Sequence, residues 1–185
     1  MDAALGWLGD IVRSILQFVP RLLIIPPTHE GVKWPCGGSP KLMTSGTGFW
    51  KTGLHLYWPV VTAHVVIPVK RQTANLDYQY LVTSDDRAVG VGGILVYEVA
   101  DTVALLNECT DHIDTIRDHA LAAIKQVVTT NSYEFFRDDP AEADKKLTDQ
   151  LRGDLKRFGV RTKKVTLSDF APVRMLALWG GFSGG

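Results

Sequence analysis

The first 27 residues combine apolar and polar positions with the period of a helix. Residues 3–25 are mostly apolar, and polar residues interrupt them at steps of three, four and four: Asp10, Arg13, Gln17 and Arg21. On a helix these steps place the polar side chains along one stripe and leave a wide apolar face. The sequence therefore predicts an amphipathic, membrane-associated helix over residues 1–27.

Three interpretations of this helix stay open. It can lie in a membrane interface, or pack on the protein's own core or a neighbouring copy, or form a re-entrant or spanning helix bent at Pro20. A clean span is disfavoured because each charge near the bilayer centre costs about 2.5–3.5 kcal/mol. The interfacial helix is the interpretation adopted. The side chains expected to face the membrane are Leu5, Trp7, Leu8, Ile11, Val12, Ile15, Leu16, Phe18, Val19, Leu22 and Leu23.

Residues 28–99 show the alternation typical of β-strands. Residues 54–58 and 61–67 predict two strands, and residues 78–83 and 88–99 predict a hairpin around the turn residues 84–86. Three glycines, Gly90, Gly92 and Gly93, interrupt the last strand and indicate a bulge or a close backbone approach. We also consider these glycines candidate contacts with another copy of the chain.

Residues 100–175 change to a helical period. Asp101 is placed to cap a short helix ending near Cys109, and Asp111 to cap the next one. The second helix carries an apolar stripe expected to face a core. The residues of that stripe are Ile113, Ile116, Ala120, Ile124 and Val127.

The third predicted helix has the clearest boundaries. Asp139 is its expected N-cap, Pro140 its first residue and Glu142 its capping-box partner, and Gly159 follows its end. Its buried stripe is expected to contain Ala143, Leu147, Leu151, Leu155 and Phe158. Residues 160–170 then predict a final strand with a solvated edge formed by Arg161, Lys163 and Lys164.

Residues 176–185 form a Gly-rich tail. Its aromatic side chains, Trp179 and Phe182, are either disordered with the tail or dock on a neighbouring copy.

The composition narrows the classes of function. Lys plus Arg and Asp plus Glu number 20 each, so no net positive field is available to attract nucleic acid. The two cysteines, Cys36 and Cys109, lack the spacing of a zinc site or a disulfide framework. We therefore expect no nucleic-acid partner and a location of the module on a reducing, cytoplasmic side.

No constellation of residues predicts catalysis, a cofactor or a metal. Residues 46–52 are rich in glycine, but Trp50 stands where a phosphate-binding loop needs glycine before the lysine. His112 and His119 lie about two helical turns apart, which is too far to chelate one ion alone. No serine or cysteine has an identifiable base, so we expect a protein that is not an enzyme.

Three segments together carry a resemblance to a known family. Residues 48–59 (GFWKTGLHLYWP) form a Gly-rich turn that leads to an aromatic-Pro strand end. Residues 83–85 (TSD) precede alternating valines and a Tyr97-x-Val99-x-Asp101 motif. Residues 158–160 (FGV) and 165–170 (VTLSDF) end a long helix and enter a strand. In order and spacing these segments resemble the stomatin/prohibitin/flotillin family, also called SPFH or band 7.

The resemblance implies an α+β module with a β-rich first subdomain at residues 28–99 and a helical second subdomain at residues 100–175. It also implies a membrane-associated, peripheral or monotopic scaffold that assembles with copies of itself into a ring or cage-like array. Membrane lipid is then a partner, and a membrane protein or protease is an expected client. The alternative is a soluble self-assembling adaptor or shell protein whose first helix packs on a neighbouring subunit rather than on lipid.

Overall fold

The computed structural model describes residues 2–173, without the side chains of residues 2–6, 8, 12 and 17. Antiparallel strands dominate the first half of this range, and helices followed by a final strand form the second half, so the predicted α+β class is confirmed. The elements in chain order are α1 (Asp2–Gln17), β1 (Arg21–Ile24), β2 (His29–Pro35), β3 (Lys41–Met43), β4 (Leu54–Tyr57), β5 (Thr62–Pro68), β6 (Gln72–Val82), β7 (Ala88–Val99), α2 (Thr102–Glu108), α3 (His112–Thr130), α4 (Tyr133–Asp138), α5 (Pro140–Lys156) and β8 (Val160–Pro172).

The chain divides into two compact units, and neither is a continuous segment. The first unit comprises the chain up to Gln72 together with Glu98–His112 and Lys156–Arg161, and the second comprises Thr73–Tyr97, Ile113–Leu155 and the chain from Thr162 onward. This division differs from the predicted boundary at residue 99. Strands β7 and β8 are long enough to contribute residues to both units, which a boundary drawn at one point along the sequence does not allow.

The predicted first helix is too long. Helix α1 ends at Gln17, and residues 21–24 form β1, which pairs antiparallel with β4. Pro20 explains the end of the helix, because proline has no N–H to donate and disfavours helical backbone in the residue before it. The prediction that Leu22 and Leu23 lie on the helix is therefore wrong, and both lie on a strand.

A three-stranded antiparallel sheet of order β3-β2-β5 forms the centre of the first unit. Its buried side chains include Val32 and Met43, both fully buried. Helix α2 begins as predicted, because the Asp101 carboxylate accepts a hydrogen bond from the Ala104 N–H at 3.0 Å. Such a cap satisfies one of the backbone donors that a helix start leaves unpaired.

The second unit contains a sheet of order β6-β7-β8 and helices α3, α4 and α5. Four of the five stripe residues predicted for α3 are buried, whereas Ile113 in its first turn is 48% exposed, which corrects that part of the stripe. All five residues of the stripe predicted for α5 and the turn after it are buried. The Asp139 carboxylate accepts from the Glu142 N–H at 3.0 Å, so the predicted N-cap of α5 is confirmed.

The hairpin turn predicted at residues 84–86 joins β6 to β7. The Thr83 hydroxyl donates to Asp85 Oδ1 at 2.6 Å, and the same carboxylate oxygen accepts from the Tyr133 N–H at 2.9 Å. These two hydrogen bonds lower the pKa of Asp85 below its ordinary value, and the bond from the Thr83 hydroxyl has the larger effect. The turn is thus connected to the start of α4, a helix that the sequence patterns did not predict.

Candidate functional site

The strand pair β1–β4 leaves an apolar face exposed to solvent. Leu22 pairs with Leu56 and Ile24 with Leu54, and residues directly opposite each other in an antiparallel pair project from the same face. Ile24 is 71% exposed and Leu22 62%. The opposite face carries the buried His55, whose Nε2 lies 3.1 Å from the Thr44 carbonyl. One face of the pair is therefore packed and the other is apolar and uncovered.

The loop between β3 and β4 carries two exposed aromatic side chains at its tip. Trp50 is 86% exposed, and the Phe49 ring contacts it edge-on at a centroid distance of 6.4 Å. Trp50 and Lys51 adopt φ angles of 51° and 56°, a left-handed conformation that bulky residues rarely adopt. This backbone conformation is strained, and strained residues cluster at functional sites. The exposed Trp50 ring is therefore a candidate functional group.

A second aromatic loop joins β4 to β5. Trp58, Val60 and Val61 are about half exposed and, with Phe18, line a shallow hollow of about 260 Å³. Phe18 follows α1 directly, so this hollow connects the end of the helix to the apolar loop. The loop, the hollow and the β1–β4 face are all parts of the first unit.

Helix α1 presents its described side chains to solvent. Trp7, Ile11, Ile15 and Leu16 are exposed along with the polar Arg13. These apolar side chains therefore do not pack on the chain's own core, which removes that interpretation of the helix for the residues concerned. Leu5, Leu8 and Val12 belong to α1, but their side chains are not among those that the structure describes.

The structure exposes most of the side chains that the sequence predicted to face a membrane. Phe18, Val19 and Leu22 are exposed in addition to those on α1, whereas Leu23 is half-buried on the packed side of β1. The sequence patterns missed several exposed apolar residues that come from strands and loops. These are Ile24, Leu42, Phe49, Trp50, Leu56, Trp58, Val60, Val61 and Val65. The exposure of Phe49, Trp50 and Trp58 could have been predicted from the sequence, because each belongs to a pair of adjacent aromatic residues next to a glycine or a proline.

We define the exposed apolar surface of the first unit as α1, the outer face of β1–β4 and the loops carrying Trp50 and Trp58. Most of the exposed large apolar side chains in the described part of the chain lie at residues 7–65. Residues 1–72 also carry seven Lys and Arg against three Asp and Glu, a net charge of +4, although the whole chain is neutral. Large exposed apolar side chains that cluster in this way are typical of interfaces with protein or membrane.

The glycines predicted as contacts between copies are buried within the chain itself. Gly90, Gly92 and Gly93 lie on β7, the central strand of its sheet, and a Cβ added to Gly90 would clash with the Tyr78 hydroxyl group. The approach at Gly90 comes from a side chain of the same chain, whereas at Gly93 an added Cβ would lie 3.2 Å from the Thr166 backbone carbonyl oxygen. A contact of these glycines with another copy stays a prediction, and Trp179 and Phe182 lie outside the described residues.

The ionisable groups are considered as candidate metal ligands and for shifted pKa values. Across residues 2–173, no group of three or more potential metal ligands converges. Burial raises the pKa of the Tyr97 hydroxyl, and the charge of Arg117 opposes this shift. The glycine-rich residues 46–52 form the aromatic loop described above, with no helix following to bind phosphate.

Comparison with known families gives the class of protein. The model of the SPFH domain / Band 7 family matches residues 23–174, so the chain belongs to this family and the resemblance drawn from its motifs is confirmed. Members of this family are typically membrane-associated and are generally scaffolds rather than enzymes. No curated protein matches the chain. In the part of the chain that the structure describes, no helix has both the length and the apolar character needed to cross a bilayer.

Proposed function

We propose that this protein is a membrane-associated scaffold that assembles with copies of itself and attaches to lipid through the exposed apolar surface of its first unit. The observation that carries the proposal is the concentration of exposed apolar side chains on this unit, with Trp50 at 86% and Ile24 at 71% exposure. Membership of the SPFH domain / Band 7 family supports it. The scaffold organises membrane lipid or membrane-protein partners and needs no catalytic group.

The chemistry of this surface favours lipid over a second protein as its partner. Tryptophan and tyrosine are enriched where protein meets the headgroup layer, because their rings are apolar at one end and polar at the other. Trp7, Trp50 and Trp58 are all exposed on the first unit. The net charge of +4 on residues 1–72 adds attraction to anionic lipid headgroups. A helix lying in the interface fits this surface without crossing the bilayer.

The second candidate function is a soluble adaptor in which the same surface packs between copies. The exposed face of β1–β4 is the observation that favours it, since an apolar strand face is also a common interface between subunits. In this case the protein assembles without lipid, and vesicles do not compete for the surface.

Flotation with phosphatidylcholine–phosphatidylserine vesicles, together with light scattering of the lipid-free protein, distinguishes these functions. We expect wild-type protein to float with the vesicles and Trp50→Ser to bind at least about ten-fold more weakly, because full burial of a large apolar side chain contributes roughly 1.5–3 kcal/mol. Tyr80→Ser is the matched control, since Tyr80 is 70% exposed but lies in the second unit. Stable assemblies that do not bind vesicles would favour the adaptor. A protein that is monomeric and does not bind vesicles would contradict both candidates.

A further inference from the structure

Three basic side chains form one row across the β3-β2-β5 sheet. Lys33 on β2 pairs with Lys41 on β3 and with His64 on β5. Residues paired in this way have Cβ atoms about 4.5–5.5 Å apart and project from the same face. Like charges placed directly opposite each other are destabilising. A bound anion would therefore relieve the repulsion between Lys33 and Lys41.

The described part of the chain provides no carboxylate for this row. Neither Lys33 nor Lys41 makes an ion pair or a side-chain hydrogen bond with any residue whose side chain the structure describes. The acidic residue of β2, Glu30, lies three positions from Lys33 and so projects from the opposite face of the strand. Its carboxylate accepts a hydrogen bond from the Thr102 hydroxyl at 2.7 Å.

The two lysines of this row line a groove together with aromatic and apolar side chains. Lys33, Lys41, Tyr57 and Trp58 line this groove, whose volume is about 290 Å³. The Tyr57 ring lies 4.2 Å from the ring of His64 and helps to fix its orientation. The Thr62 hydroxyl also lines the groove and is a further hydrogen-bond donor.

The groove continues into the exposed apolar surface of the first unit. Trp58 lines both this groove and the hollow formed with Phe18, Val60 and Val61. Leu56, from the exposed face of β1–β4, lines the groove as well. A molecule with an anionic group in the groove and a hydrocarbon part on the neighbouring surface would therefore bind to both the lysines and the apolar side chains.

We propose that this groove binds the phosphate of an anionic membrane lipid, with Lys33 and Lys41 as its charged ligands. The inference rests on the proposed membrane attachment and names the lipid chemistry at that same surface. A lipid is favoured over free phosphate because Leu56 and Trp58 would contact the acyl and glycerol part of the molecule. The two lysines supply point charges and rotatable N–H donors.

The test uses full-length protein and water-soluble dihexanoyl phosphatidic acid, measured by isothermal titration calorimetry. We expect K33Q/K41Q to bind this lipid roughly 30-fold more weakly, because each basic residue near an anionic lipid surface contributes about 1 kcal/mol. The matched control is K70Q/R71Q, which removes the same charge from exposed positions of the same unit outside the groove. The conservative pair K33R/K41R should retain binding. Thermal unfolding of each variant verifies the fold.

The outcomes separate this inference from the proposed function. Failure of wild-type protein to bind dihexanoyl phosphatidic acid, or equal losses in the two charge-removing variants, would overturn the groove as a lipid-phosphate site even where vesicles bind. Inorganic phosphate that binds as tightly as the lipid would overturn the lipid as the occupant. Groove-dependent binding of the soluble lipid would support the inference, and absence of flotation in that case would contradict only the membrane attachment.

Discussion

At the scale of single residues, Gly159 joins the end of α5 to the start of β8. It adopts a φ of 72°, and its carbonyl accepts from the N–H groups of Ala100 and Asp101 at 2.8 and 2.9 Å. A Cβ added here would lie 2.5 Å from the Asp101 carbonyl oxygen. The position therefore requires glycine both for its left-handed backbone and for the close approach of a second chain segment.

Gly159→Ala should lower the free energy of unfolding by about 2 kcal/mol or more. Left-handed backbone costs roughly 1–2 kcal/mol for a residue with a Cβ, and the contact with the Asp101 carbonyl adds to this. Gly153→Ala is a control that should have the opposite effect, since Gly153 lies in the last turn of α5 with open space around it. That change should raise stability by about 0.8–1 kcal/mol through helix propensity. Urea denaturation measures both, and equal effects would contradict the argument.

Residues whose role depends on local chemistry could be predicted from the sequence. The N-caps Asp101 and Asp139 were predictable because a carboxylate at a helix start bonds to a backbone N–H only three positions away. The groove at Lys33 and Lys41 was not predictable. Its two lysines become neighbours only through the pairing of β2 with β3, a strand of three residues that hydrophobic alternation does not reveal.

At the scale of elements, α5 covers the outer edge of β8. The Val165 N–H donates to the Thr148 hydroxyl oxygen at 2.9 Å, and the Leu167 N–H donates to Asp144 Oδ1 at 3.1 Å. A strand at the edge of a sheet otherwise presents unpaired backbone groups that can pair with another chain. Side chains of the helix thus replace the hydrogen bonds of a missing strand.

Thr148→Val should destabilise the second unit by about 1–3 kcal/mol, because the buried Val165 N–H loses its acceptor while the side-chain volume is kept. Hydrogen exchange of the Val165 amide should also become faster. Thr129→Val is the control, since the Thr129 hydroxyl donates to helix carbonyls and accepts from no strand. An unchanged exchange rate at Val165 in Thr148→Val would show that this hydrogen bond does not protect the edge.

The N-terminal segment shows that periodicity alone does not predict where a helix ends. The steps from Asp10 to Arg21 fit a helix throughout, but the pairing of β1 with β4 and the burial of Ile25 depend on residues about 30 positions away. Tertiary pairing overrides the local period after Pro20. A truncation that removes the helix alone should therefore end at residue 17, because deletion up to residue 27 also removes a strand and a core residue.

At the scale of the whole molecule, the proposed membrane attachment and the proposed self-assembly depend on each other. The net charge of residues 1–72 is only +4, so the electrostatic attraction of a single copy to anionic lipid is limited. Copies held side by side convert later binding events into intramolecular ones, which raises avidity by a factor of about 10² to 10⁴ without new contacts. Attachment to the membrane and self-assembly should therefore strengthen each other.

This coupling predicts that vesicle binding depends steeply on protein concentration. With lipid in fixed excess, the bound fraction of wild-type protein should rise more sharply than a single-site isotherm, and cross-linked multimers should appear over the same range of concentration. Raising the amount of lipid at constant protein should lower the cross-linked fraction, because the bound copies are then spread over more surface. A hyperbolic isotherm with no change in cross-linking would mean that single copies bind independently, so that assembly contributes nothing to membrane attachment.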